Sequence, residues 1–341
     1  MSAVTTKVVK SQKEWDDFLD EHSESNFLQS WQWGDFFKSL KKDVERIGYY
    51  EGDKLIGICL SIVEPARRGR YLTVAGGPIL DWRNDDLVDS WLQSICEIGK
   101  KHNCVFVRVR PQLISDEFSR SLFGKAGFRP APMHLSAELT HQLELGKDES
   151  ELLADMRKQT RYEIRKADKL GVVVTESTMP KDLKAFYDLQ IETAKRQGFV
   201  PFSYEFLLRQ FEIFVTDNMV KLYSAHHDGK LLAQAFVIFQ GSEAAYHYGA
   251  STELGRKYPG AYAIQWQAIL EAKKRGLLRY NFWGVAPEGD THHRFAGVSL
   301  FKRGFGGQDV EYLHAQDLVL NKSKYLVNLT IEKARKKLRH V

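Results

Sequence analysis

The chain repeats itself. Lys54-Leu55-Ile56-Gly57 follows the turn text Glu51-Gly52-Asp53, and 176 positions later Lys230-Leu231-Leu232-Ala233 follows His227-Asp228-Gly229. Each reads as a β-hairpin, a Gly/Asp turn between apolar strands that run on into ICLSIV and AQAFVIF. The strand text VFVRVRP ends at Pro111 and its counterpart NFWGVAP at Pro287, again 176 apart. In front of each lies a helix-patterned stretch that ends in basic residues, SWLQSICEIGKKHN and AIQWQAILEAKKRG. Each half then closes on similar text, Leu122, Phe123, Gly127 and Phe128 against Leu300, Phe301, Gly304 and Phe305. Three matches in order at nearly one spacing mean an internal duplication. The 341 residues also suit two domains by length.

Each half runs helix, hairpin, connecting loop, helix, strand, helix, strand. That alternation calls for an α/β build (α+β mixed sheets) with helices packed on each sheet. The order resembles the acyl-CoA N-acyltransferase (GNAT) fold, so two tandem GNAT-like acyltransferase domains are expected. The expected division is residues 1–145 for the first and 146–317 for the second. ELLADMRKQTRYEIRKADKL, stopped by Gly171, reads as an amphipathic helix opening the second half. The basic C-terminal helix, 318–341, has no counterpart in the repeat and is expected to pack back on the first domain.

The net charge of +5 is modest but unevenly spread. Arg157 to Lys169 holds six Lys or Arg against Glu163 and Asp168, and Lys322 to Arg339 holds seven against Glu332. Such helices attract phosphate-bearing partners or anionic lipid, or simply form solvated faces. Cys59, Cys96 and Cys104 form no C-x-x-C pair, which fits a reducing cytoplasm and not a disulfide framework. The N-terminal text MSAVTTKVVKSQKEWDDFLDEH has no apolar signal region, and no run of about 18 apolar residues occurs, so a soluble cytoplasmic protein is expected.

Covalent and metal chemistry find no signature. G-x-S-x-G, H-E-x-x-H and G-x-x-x-x-G-K-[ST] are missing, His292-His293 is too short a cluster for a metal site, and His226-His227 reads as surface beside a turn. No metal is expected. What remains is a transferase that positions two substrates without a covalent intermediate. The GNAT donor loop, [QR]-x-x-G-x-[GA], is matched only loosely by Arg256-Lys257-Tyr258-Pro259-Gly260-Ala261, and the first half reads Val74-Ala75-Gly76-Gly77-Pro78-Ile79 at that place. Weak loops on this fold call for a donor other than acyl-CoA.

Five stretches, FLQSWQWGDFFKSL, MRKQTRYEIRKADKLGV, YHYGAS, YNFWGVAPEGD and AGVSLFKRGFGG, resemble the Fem-type (FemABX) peptidyltransferases over nearly the whole chain. The resemblance implies two GNAT-like domains, here without the helical arm of many members. It implies transfer of an amino acid from aminoacyl-tRNA to the stem-peptide amino group of a nucleotide- or lipid-linked muropeptide, with aminoacyl-tRNA as co-substrate and no further cofactor. An activated ester explains the lack of a Ser or Cys nucleophile; the enzyme stabilises the oxyanion instead. By position Lys302 matches the family's catalytic lysine, with Arg303 beside it as a substrate-binding candidate. Tyr248 matches a tyrosine that contacts the precursor, sharing a strand face with Tyr246 by alternation. Lys38 resembles a lysine that meets acceptor phosphate, one residue farther from Trp33 than the pattern. Lys158, Arg161, Arg165 and Lys166 are candidates for tRNA phosphates, with Arg157, Arg161 and Arg165 on one helix face.

Departures concern the acceptor. Phe202 and Phe206 stand where compact members place an arginine and a tyrosine, with Tyr204, Arg196 or Arg209 as substitutes, and Arg110 replaces an acidic residue. Loss of the arginine points to a lipid-linked acceptor, with Lys333, Arg335, Lys336, Lys337 and Arg339 docking on anionic lipid at the inner membrane face. Two other readings compete: an acyl-CoA-dependent N-acyltransferase on a small amine, and a non-catalytic nucleic-acid-binding protein.

Overall fold

Both turns form where their glycines stand. Gly52, at φ +62°, joins strand Val44–Glu51 to Lys54–Glu64; Asp228 and Gly229, at +47° and +72°, join Val220–His227 to Lys230–Gln240. Each hairpin slips register once, between Tyr49 and Tyr50 and between Ala225 and His226, positions that coincide in the repeat. Even the bulge is duplicated. The structure, a computed structural model, describes residues 4–67, 69–198 and 200–339, apart from the side chains of Gln197 and 333–339. It divides into one unit of residues 1–138 and 311–341 and a second of residues 139–310.

The first unit's sheet runs, edge to edge, Val4–Val8, Val44–Glu51, Lys54–Glu64, Arg70–Ala75, Cys104–Arg110, Gln316–Val319 and Arg129–Pro130, with Ile79–Leu80 on the third strand. Its parallel pair is Arg70–Ala75 with Cys104–Arg110. The second sheet runs Gln308–Glu311, Leu139–Glu144, Arg279–Gly284, Glu243–Ser251, Lys230–Gln240, Val220–His227 and Val173–Ser177. Glu243–Ser251 and Arg279–Gly284 form the equivalent parallel pair.

The sheets trade a strand. Leu139–Glu144 follows the first repeat yet pairs antiparallel with Arg279–Gly284, and Gln316–Val319 follows the second yet pairs antiparallel with Cys104–Arg110. Those strands sit one repeat apart in sequence, so each completes the sheet of the other copy. This corrects the expected boundaries at 145/146 and 317/318, which the structure places at 138/139 and 310/311. Periodicity identifies a strand and its buried face but not the sheet edge that the strand completes.

The matching helices explain the two cores. Asp85–Lys101, capped by the Asn84 side chain on Leu87 N–H, buries Leu87, Val88, Trp91, Ile95 and Ile98 at helical spacing. Gly260–Lys274 buries Ile264, Ala268, Ile269 and Ala272 against the second sheet. Each large buried aliphatic side chain contributes about 1.5–3 kcal/mol.

Helix Lys322–Arg339 lies on the first unit through Tyr325, which packs with Val105 and Phe106. Beneath it the buried Arg108 guanidinium grips Asp317 by two bonds of 2.7 and 2.9 Å and donates to Glu332 at 2.9 Å, and the Tyr325 hydroxyl donates to Asp317 at 2.9 Å. The lipid-facing cations expected on this helix, Lys333, Arg335, Lys336, Lys337 and Arg339, have side chains outside the described residues. No helix among the described residues is long and apolar enough to cross a membrane.

Candidate active site

The parallel pair of the second sheet is short. Glu243, Ala244 and Ala245 face Arg279, Tyr280 and Asn281, and the pairing then stops. Both strands carry an irregularity just beyond. Phe236 faces Tyr248 while Val237 faces Tyr246, which leaves His247 as an inserted bulge residue. On the other strand the register slips between Asn281 and Gly284, and Trp283 takes φ +66°, a conformation costly for a bulky residue, with its N–H held by the Asn281 side chain at 2.8 Å. Where the pairing ends the strands part.

A cavity of about 510 Å³ lies along the splayed strand. Its walls include Ala233, Ala235, Tyr246, Gly249, Ile264 and Phe301, with Thr193, Gln234 and Gln265 as polar members. Gly249 is required here, because a Cβ would stand 1.7 Å from the Tyr246 hydroxyl oxygen. Among the described lining residues Arg196 and Arg294 carry charge and no carboxylate does. Arg196 is partly committed, donating to the Ser251 carbonyl at 2.7 Å and lying 3.6 Å from Glu192, so the cavity's attraction for anions rests mainly on Arg294.

Lys302 comes to this place from the last turn of helix Ala296–Arg303. It is only 8% exposed, donates from Nζ to the Gly284 carbonyl at 2.7 Å, and stands 5.8 Å from the centroid of the Tyr246 ring that lines the cavity. No carboxylate pairs with it among the described residues, so burial is uncompensated and pushes its ammonium down to about 7. A lysine poised near neutrality beside an anion-favouring cavity is what catalysis by a cation or proton donor needs.

The other expected residues fare differently. Arg303 turns away into an ion pair with Asp309 and a bond to the Ala286 carbonyl, 2.6 Å, and Asp309 also holds His141 at 2.8 Å. Tyr248 does not share a face with Tyr246, because the His247 bulge inverts the alternation: Tyr246 packs toward the core under helix Gly260–Lys274, while Tyr248 rests on Phe236 and Phe202 at ring separations of 5.5 and 5.2 Å. Phe202 stacks on Phe206 at 4.9 Å, Tyr204 packs edge-on to Tyr187, and Arg209 pairs with Glu205. Lys38, in the first unit, is exposed and 3.9 Å from Asp35.

The single helix expected here breaks at Met156, whose extended backbone separates Glu149–Asp155 from Lys158–Lys169, and in the second of these the shared face of three arginines is mostly committed. Arg161 donates to the carbonyls of Leu153, Ala154 and Met156 at the end of the preceding helix, and Arg157 donates to the Leu300 carbonyl. Lys158 and Arg165 are exposed, and Lys166 lies 3.7 Å from Glu163. Arg110 is buried, donating to Ser136 and Gln112 at 2.7 Å each. Gly260 of the loose donor loop answers to packing, since a Cβ would meet Leu232 and Ala225 within 2.9 Å. Sequence reasoning weighed Arg196 only as a substitute acceptor contact and missed Arg294, Gln234 and Gln265. No local pattern marks these three; the splay alone brings them together.

Known structures share this architecture. A solved structure of FemX superposes with a TM-score of 0.87 at 18% identity, covering 95% of this chain and 99% of that one. A tandem GNAT protein from the clavulanic acid biosynthesis pathway gives 0.56 at 12% identity, covering 93% and 98%. The fold is that of the tandem GNAT-like transferases. Within that class the chain belongs to the FemAB family, whose model matches residues 10–123, 134–230 and 216–333. Aminoacyltransferase FemA of Staphylococcus epidermidis is 24% identical over 412 residues, covering 95% of this chain and 98% of the relative. The lipid II:glycine glycyltransferase of Staphylococcus saprophyticus is 21% identical over 384 residues, covering 92% of each. An alignment of 412 positions exceeds the 341 residues here, so that relative carries insertions this chain lacks. The longest helices among the described residues have 17 and 18 residues, too short for a long helical arm.

Proposed function

We propose that this chain is an aminoacyltransferase of cell-wall bridge formation, moving an amino acid from aminoacyl-tRNA to the stem-peptide amino group of a lipid-linked muropeptide. The observation that carries the reading is Lys302, buried and unpaired with any described carboxylate, beside a cavity whose lining charges are both cationic. The relatives' names supply the reaction class, and one names a lipid-linked acceptor. Arg196 and Arg294 suit the phosphates of a nucleic-acid end.

In the reaction the neutral stem-peptide amine attacks the ester carbonyl, and the Lys302 ammonium donates a hydrogen bond to the oxyanion that forms. The amide bond closes as the ester C–O bond breaks, and the proton lost by the amine ends on the departing ribose oxygen. A lipid-carried acceptor brings this chemistry to an anionic surface, to which exposed Lys322 and Lys324 add attraction of about 1 kcal/mol each.

The test is transfer of labelled amino acid from a mixed pool of charged tRNAs onto lipid-linked and nucleotide-linked muropeptides. Label on the lipid-linked acceptor, abolished by RNase, is expected. Failure on both acceptors with folded protein, together with turnover of an acyl-CoA on a small amine, would overturn the reading. The pH dependence is a separate check. Lys302 loses its proton as pH rises through about 7, so kcat/KM falls on the alkaline side of that value. Lys302→Arg keeps the charge, and its falling limb is expected to vanish. Identical limbs in both proteins would remove the lysine's charge from the mechanism.

A further inference from the structure

The first unit holds a cluster that the transfer reaction does not use. Glu138 Oε2 lies 2.6 Å from His134 Nδ1 and 2.8 Å from His314 Nδ1, and its Oε1 accepts the Ala315 N–H at 2.9 Å. The far nitrogen of His314, Nε2, lies 2.7 Å from the Ala131 carbonyl. A carbonyl oxygen only accepts, so Nε2 carries a proton. His314 Nδ1 and His134 Nδ1 thus converge on one carboxylate oxygen at hydrogen-bond distance, an arrangement that N–H protons hold as it stands and in which a metal ion can take the place of those protons.

We propose that His134 Nδ1, Glu138 Oε2 and His314 Nδ1 form a binding site for a divalent transition metal, Zn²⁺, with water in the fourth position. The three atoms lie within 4.8 Å of one another. Two imidazoles and a carboxylate are a set that zinc takes in tetrahedral sites. The surroundings fit as well. His314 makes through Nε2 the bond to a backbone carbonyl that orients metal-bound histidines, and the Ala315 N–H steadies the second carboxylate oxygen. Zinc bonds of 2.0–2.1 Å place tetrahedral ligand atoms about 3.3 Å apart, so each ring retreats from Glu138 Oε2 by about 0.5–0.7 Å on binding. The exposed His134 ring has room to do so. Bound metal fixes the segment leaving the first unit at Glu138 to the segment returning at His314.

Zinc titration of the tag-free full chain by calorimetry tests this, with cobalt as a spectroscopic stand-in. One metal per chain and the visible absorption of four-coordinate cobalt are expected. His134→Gln and His314→Gln should each weaken binding at least about 10-fold and lose that absorption. His292→Gln, at an exposed histidine outside the cluster, should change nothing. Should His314→Gln fail to fold, the exposed His134→Gln decides alone. No stoichiometric uptake by the wild type, or undiminished uptake in His134→Gln, would overturn the site.

Discussion

Lys302→Ala is expected to lower kcat for amino-acid transfer by about 10²–10³, the loss typical of removing one oxyanion donor from a water-excluded site. Lys302 reaches the point where Glu243–Ser251 and Arg279–Gly284 stop pairing, and its Nζ donates to the Gly284 carbonyl and lies 5.8 Å from the centroid of the Tyr246 ring that lines the cavity. Removing it takes away a cation whose burial is uncompensated, so folding should survive, and Lys302→Met preserves the aliphatic packing as a control. Single-turnover kinetics with charged tRNA separate the chemical step from binding. Loss confined to KM in both variants would make Lys302 a binding residue. Unchanged rates in both would discard it.

Asp317→Ala should destabilise the first unit by about 3–5 kcal/mol, read as the urea midpoint of unfolding. Asp317 is fully buried, takes both arms of the Arg108 fork, and accepts the Tyr325 hydroxyl. Its removal strands Arg108 with Glu332 alone and takes away the anchor of the C-terminal helix. Asp317→Asn keeps an acceptor for Tyr325 and isolates the charge. A change under about 1 kcal/mol in Asp317→Ala would show that Glu332 suffices to neutralise Arg108.

What could be read from sequence was local. Two glycine turns, two helix stripes and two Leu-Phe endings repeat at one spacing, and hairpins and amphipathic helices are built from neighbours in the chain. The traded strands were not legible, because alternation is silent on which sheet receives Leu139–Glu144 and which receives Gln316–Val319. Nor was the inserted His247, whose residue type carries no bulge signal, and the error it causes reversed the side assigned to Tyr248. Arg161 stood in a basic stripe that suits phosphate, yet its guanidinium caps the end of the neighbouring helix, a use that only the turn at Met156 creates. Lys302 was found through a motif, but its burial depended on a helix meeting a strand end. The His134, Glu138 and His314 cluster escaped because its members approach only after the chain has gone out through the whole second unit and returned.

That traded strand also sets a timetable for synthesis. Residues 139–310 form one continuous stretch that already includes its own edge strand, whereas Cys104–Arg110 waits for Gln316–Val319, made more than 200 residues later. At roughly 5–20 residues per second, the ribosome leaves that strand without its neighbour for about 10–40 s. During this interval the later-made half can finish its sheet while the earlier-made half presents a bare edge whose Arg108 still lacks its Asp317 partner. The N-terminal half is thus the last to be completed, and a nascent chain stalled before residue 316 is the form of this protein most in need of a chaperone.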